Sequence, residues 1–167
     1  MVYDNNGEHL FKFAYDLREK LKKGKTPVFL CVGSDKWVCD SLAPMVAEML
    51  KKEYNIGAYV YGGLKYNINA CNLMEAVNYI ESVHGDRDII LIDATIGSEV
   101  GKVKLTEGSY AGMGKCLPIR KIGILSVLGV VARGNADFRL NTVRLGCVVA
   151  LSRFIAKGCY LAVNSLK

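Results

Sequence analysis

Asp88-Ile-Ile-Leu-Ile-Asp-Ala-Thr95 is the stretch on which the fold turns. Four consecutive bulky apolar residues leave no polar face, so a strand here needs cover on both sides, as a parallel strand between two helical layers has. Val28-Phe29-Leu30-Cys31-Val32-Gly33 repeats the pattern sixty residues earlier, and Ala58-Tyr59-Val60-Tyr61-Gly62-Gly63 supplies a third short run.

Helical patterns fill the gaps. Leu10, Phe11, Ala14, Leu17 and Leu21 recur at helical spacing over about Glu8 to Lys23, and Gly24 and Pro27 end that amphipathic cover, residues 1–25. Pro44 is tolerated in a first helical turn, so a helix is expected from Leu42 or Ala43 to Tyr54. Asn72-Leu-Met-Glu-Ala-Val-Asn-Tyr-Ile-Glu-Ser-Val83 forms the next. Strand–helix alternation through the first hundred residues predicts right-handed βαβ units: an α/β, three-layer sandwich with a twisted, mostly parallel sheet.

Beyond Asp93 the pattern changes. Lys102-Val-Lys-Leu105 is too short for a crossover helix and reads as a hairpin or edge strand, followed by a glycine-rich loop, Glu107 to Pro118. A long strand is expected over Lys121–Ala132. Asn135 then caps a helix from Ala136 to Lys157, Gly158 stops it, and the tail from Cys159 to Leu166 adds an edge strand.

The bulk numbers agree with one domain, residues 1–167. At 167 residues, 51% hydrophobic and 23% charged, the chain can bury roughly two-thirds of its unfolded surface. The longest apolar stretch, near Ile122–Ala132, is about half a bilayer span, and the amino end lacks a signal core, so a cytosolic protein without membrane contact is expected. A net charge of +6 is spread out, which argues against nucleic acid. The one cluster, Arg18, Lys20, Lys22, Lys23 and Lys25, closes the first helix, where cations suit the dipole. Six cysteines lie far apart without a CxxC pair, and only His9 and His84 could supplement them, so buried free thiols are expected and no metal or cofactor.

Open parallel sheets bind ligands at the carboxyl ends of their strands, where neighbouring crossovers diverge. Asp93 ends the third strand, and Asp40 ends the polar loop leaving the first, near a helix amino terminus. In strand order 2-1-3 the two would face one another. Paired carboxylates in a poorly solvated cleft share a proton, one serving as base and the other as acid, which suits hydrolysis of an amide or holding a divalent ion. The structural alternative makes Asp40 a helix cap and Asp93 an acceptor for loop amides.

Other motifs are weaker. Gly33-Ser34-Asp35 looks like half a phosphate-binding turn without its remaining glycines. Cys39 lacks a histidine base, Ser126 sits inside a strand, and His84 before Gly85 is expected to be exposed.

Four segments taken together, residues 29–50, 60–73, 89–97 and 121–145, resemble the YyaC-type sporulation proteins of spore-forming Firmicutes over Val28–Ala156. That family is similar in fold to the spore germination protease and to the hydrogenase maturation endopeptidases. The resemblance implies an aspartate-dependent endopeptidase with Asp40 and Asp93 as the catalytic pair, and a peptide or protein substrate met by Gly33, Ser34, Asp35, Gly112 and Gly114. It also implies the forespore or mother cell as location. Cys39 and Ala43 stand where the family has glycines, and Tyr110-Ala-Gly-Met-Gly114 replaces its P-G-A-G-like loop. With no histidine after His84, nickel recognition is not expected. The alternative is a non-catalytic spore protein that binds a peptide or protein in the same crevice, and a homodimer is the assembly to test.

Overall fold

A computed structural model describes residues 1–108, 123–134 and 143–164. The order along the chain is β1 (Val2–Asp4), α1 (Gly7–Glu19), β2 (Val28–Cys31), a one-turn 3-10 helix (Val38–Asp40) and α2 (Leu42–Glu48), which continues as a π-helical turn (Met49–Glu53). There follow β3 (Tyr59–Tyr61), α3 (Leu73–His84), β4 (Ile89–Ile96), β5 (Lys102–Glu107), β6 (Leu125–Ala132) and α4 (Leu145–Asn164).

These strands form one six-stranded sheet in the order β1-β5-β6-β4-β2-β3. The segment β6-β4-β2-β3 is parallel, whereas β5 runs antiparallel to β6 and β1 antiparallel to β5. The first three expected strands thus lie in the order 2-1-3 across the sheet. Lys102–Leu105 belongs to a strand antiparallel to its successor, as a hairpin requires, but it is not an edge. The unforeseen β1 covers it, three residues too short to show a period.

The all-apolar strands are buried on both faces, as their composition demands. Phe29, Cys31, Ile90 and Ile92 meet α1, α2 and α4, while Val28, Leu30, Ile89 and Leu91 meet Leu73, Val77 and Ile80 of α3. Each such side chain contributes about 1.5–3 kcal/mol of burial.

Helix α1 packs chiefly on α4 and β1. Asn6 caps it through its side chain to the His9 amide. Phe13 rather than Phe11 points inward, its ring 5.3 Å from Tyr3 and 5.6 Å from Phe154. Phe11 is exposed. The basic residues after α1 pair locally: Lys20 with Glu107, Lys22 with Asp88 and Lys25 with Asp86. Asp88, 2% exposed, also accepts the Lys22 amide at 2.6 Å and latches this loop to the start of β4.

Two expectations for the carboxyl-terminal third are overturned. Gly158 does not stop α4, which runs on through Cys159 to Asn164, so the tail forms no edge strand. A Cβ at Gly158 would collide with the Phe13 ring, so the glycine serves close packing of α1 on α4. Val143 and Arg144 precede α4, and the expected capping by Asn135 lies outside the described residues. Helix α4 has a mean hydropathy of 1.5 over eighteen residues. It meets the length and composition of a membrane span because it is a core helix, burying Val148, Leu151, Ile155 and Cys159 among others. Strand β6 begins at Leu125, after Gly123 (φ +76°), where any Cβ would strike the Ile89 carbonyl oxygen.

Candidate functional site

Beyond Cys31 the chain keeps its place beside β4 for one more residue, Val32 donating to the Ile92 carbonyl at 2.9 Å. The register Cys31↔Ile92 therefore brings Asp93 level with Val32, at the carboxyl edge. Gly33 then turns at φ +149°, its amide donating to the Ile68 carbonyl at 2.7 Å. The loop folds back so closely that a Cβ on Gly33 would collide with the Asp40 carbonyl oxygen, and only glycine accepts this approach.

Asp40 closes the 3-10 turn, its amide donating to the Trp37 carbonyl at 3.0 Å, and its carbonyl accepts the Ser34 amide at 3.1 Å. This turn lies against both β4 and α4. Its exit is fixed from outside: Leu42 packs over Gly129, and buried Ser152 on α4 donates to the Leu42 carbonyl at 3.1 Å. Asp40 is half-buried. Burial pushes its carboxyl up from the ordinary value, and a hydrogen bond from the Ser34 amide offsets this in part. Cys39 beside it is also pushed up, by burial and then by the Asp40 charge, so its thiol stays protonated and is a poor nucleophile.

Asp93 sits in β4 between β2 and β6, opposite Leu128, and is 7% exposed. Its Oδ1 accepts the Ala94 amide at 2.7 Å. Strand alternation sends its side chain to the same face as Leu91, the face that α3 covers, while α2 lies on the other. The two aspartates therefore belong to adjacent parallel strands at one edge and approach it from opposite faces of the sheet.

Of the expected substrate contacts, Gly33, Ser34 and Asp35 share the Asp40 loop. Ser34 is buried and its Oγ accepts the Lys36 amide at 3.2 Å. Asp35 is exposed. Gly112 and Gly114 lie outside the described residues. The flanking Gly108 and Gly123 sit beside the start of β6 and β4, at the edge opposite the aspartates.

Sequence reading missed Asn67, which ties two loops together. Its Oδ1 accepts the Asp35 amide at 3.1 Å, and its Nδ2 donates to the Gly63 and Leu64 carbonyls at 2.8 and 2.9 Å. The signal was present in the Asn-rich run Asn67-Ile-Asn-Ala-Cys-Asn72, since asparagine side chains replace backbone partners in turns. Exposed Trp37, Leu64 and Tyr66 stand on the two loops so joined. Among the described residues, no three His, Cys, Asp or Glu side chains gather as a metal site needs. His84, expected to be exposed, is buried: Tyr61 Oη lies 2.7 Å from its Nε2 and the Tyr59 ring stacks at 4.2 Å. Helix α3 turns its last residue inward onto the two β3 tyrosines.

A family model described as protein of unknown function (DUF1256) matches residues 1–158. The chain belongs to the DUF1256 family. The uncharacterized protein YyaC of Bacillus subtilis (strain 168) is 32% identical over 154 residues, covering 87% of this chain and 74% of that protein. Among solved structures, the [NiFe] hydrogenase maturation protease HycI from Thermococcus kodakarensis KOD1 is similar with a TM-score of 0.48 and 19% identity, over 86% of this chain and 98% of that one. In this DUF1256 chain the candidate chemistry lies in its own residues. These are a half-buried carboxyl that resists ionisation, a buried carboxylate one strand away, and a loop pair held by Asn67.

Proposed function

We propose that this protein is an aspartate-dependent endopeptidase, with Asp40 and Asp93 working across the carboxyl edge of β2 and β4. The observation that carries the reading is the burial-raised carboxyl of Asp40 at the same edge as the buried Asp93, on neighbouring strands of a 2-1-3 crossover. A carboxyl whose ionisation is opposed by burial is suited to the acid's part. Asp93 takes a proton from the attacking water as its oxygen bonds to the scissile carbonyl carbon. Asp40 gives its proton to the departing amide nitrogen as the C–N bond breaks. The resemblance to the germination protease, carried by Gly33 to Pro44 and by Leu91 to Thr95, supports the same assignment.

The proposal includes a peptide or protein substrate, and a cytosolic site of action in the forespore or mother cell of a spore former. Asp40→Asn and Asp93→Asn should each lower cleavage of a spore-protein substrate by at least about a hundredfold, the weight of one general acid or base. Cleavage retained by either variant, with circular dichroism unchanged, would sink the idea.

Exposed Trp37 beside Asp40 favours a second reading, a crevice that binds peptide without cutting it. Trp37 is the single tryptophan of the chain, so its fluorescence reports occupancy directly. Saturable quenching by peptides that emerge intact selects this reading over the first.

A further inference from the structure

A groove of about 690 Å³ opens where the start of α1, the end of the π-helical turn and the middle of α4 meet. Its walls include Leu10, Glu53, Tyr54, Arg153, Phe154 and Lys157. It is separate from the aspartates. The helix that starts at Leu42, beside Asp40, runs to Glu53, twelve residues or about 18 Å of helix, before reaching it.

Arg153 and Lys157 stand four residues apart on α4, so their side chains share a face, and such like-charged pairs repel by about 0.2–0.5 kcal/mol. Neither forms an ion pair among the described residues. Glu53 lines the same groove without joining either. An anion placed between the two cations removes the repulsion, and the arginine fork suits the paired oxygens of a phosphate. Aromatic surface adjoins them: Tyr54 stacks on Tyr160 at 4.9 Å, and Phe154 lines the groove. The amino end of α1 at Gly7 contributes the positive end of its dipole.

We propose that this groove binds a small aromatic phosphate, its phosphate between Arg153 and Lys157 and its ring against Tyr54 and Phe154. The test is calorimetric titration of the full chain with phenyl phosphate and, separately, with inorganic phosphate. Saturable binding of phenyl phosphate is expected, at least about tenfold tighter than inorganic phosphate and weakened at least about tenfold in Arg153→Ala/Lys157→Ala. Both substituted residues are exposed, so the variant should keep the native circular dichroism. Three outcomes overturn the proposal: no heat up to about 10 mM phenyl phosphate, equal affinity for the two probes, or unchanged affinity in the double variant. None of them bears on Asp40 or Asp93, so the peptidase reading stands or falls separately.

Discussion

Asp40 destabilises the fold that holds it. Burial raises its carboxyl, so the folded protein binds a proton more tightly than the unfolded chain does from the ordinary value of 3.8 upward. Stability is then full below 3.8 and declines as pH rises through the folded value. Asp40→Asn removes the ionising group and keeps an oxygen for the Ser34 amide. The variant should melt higher than the native protein at neutral pH, with the gain vanishing near pH 3.8, as thermal scans across pH will show. An unchanged melting temperature at neutral pH would mean the carboxyl is solvated. A residue that costs stability where it stands is expected of functional machinery. Asp40 and Asp93 stood out as candidates because Asp93 ends an apolar run and Asp40 ends the polar loop that follows another, and Gly33 because it closes that first run. Asn67 was not, since its worth lies in tying two loops that only the fold brings together.

At the scale of elements, two joints decide how helices sit. The first is α3 on β3, where His84 is held by Tyr61 and Tyr59. Burial, then the charge of Arg87, pushes His84 below its ordinary 6.5. The Tyr59 and Tyr61 rings stand against it, and Arg87 lies 5.1 Å over the Tyr59 ring. The histidine's contribution to stability is therefore complete above 6.5 and is lost as pH falls from there through the lowered folded value. Urea denaturation at a series of pH values should show stability falling below about 6.5, and His84→Gln should flatten that slope. The same slope in the variant would assign it to another group. The second joint is α1 on α4 at Gly158. Gly158→Ala gains about 1 kcal/mol of helix propensity, but the methyl meets a Phe13 ring already fixed by Tyr3 and Phe154. Overpacking of that kind costs about 1–3 kcal/mol, so a net loss of up to about 2 kcal/mol is expected by urea denaturation. Sequence reading takes Gly158 as a stop because glycine commonly ends helices, and the contact that overrides this comes from 145 residues away.

Over the whole molecule, what was legible follows the reach of the signal. The parallel character of β2 and β4 and both helical layers could be read because strands buried on two faces have no polar positions, and helices between them repeat every three to four residues; the place of β6 beside β4 could not. Strand β1 and the true extent of α4 were not, because each is defined by its partner: β1 by pairing with β5, and α4 by the cover that α1 lays over it. Helix α4 has the composition of a membrane span and remains in a globular core only while Leu10, Phe13 and Leu17 shield its outer side. Removing residues 1–25 strips β1 and α1 together, exposing Phe154 and Gly158 on α4 and leaving β5 an open edge. The loss of those three side chains alone amounts to about 5–9 kcal/mol of burial, comparable with the whole stability of a domain this size. The shortened chain should lose its near-ultraviolet circular dichroism and elute as aggregates on size exclusion, with α4 now partitioning onto lipid vesicles. A shortened chain that stays monomeric with native near-ultraviolet signal would show that the amino-terminal helix decorates the core instead of completing it.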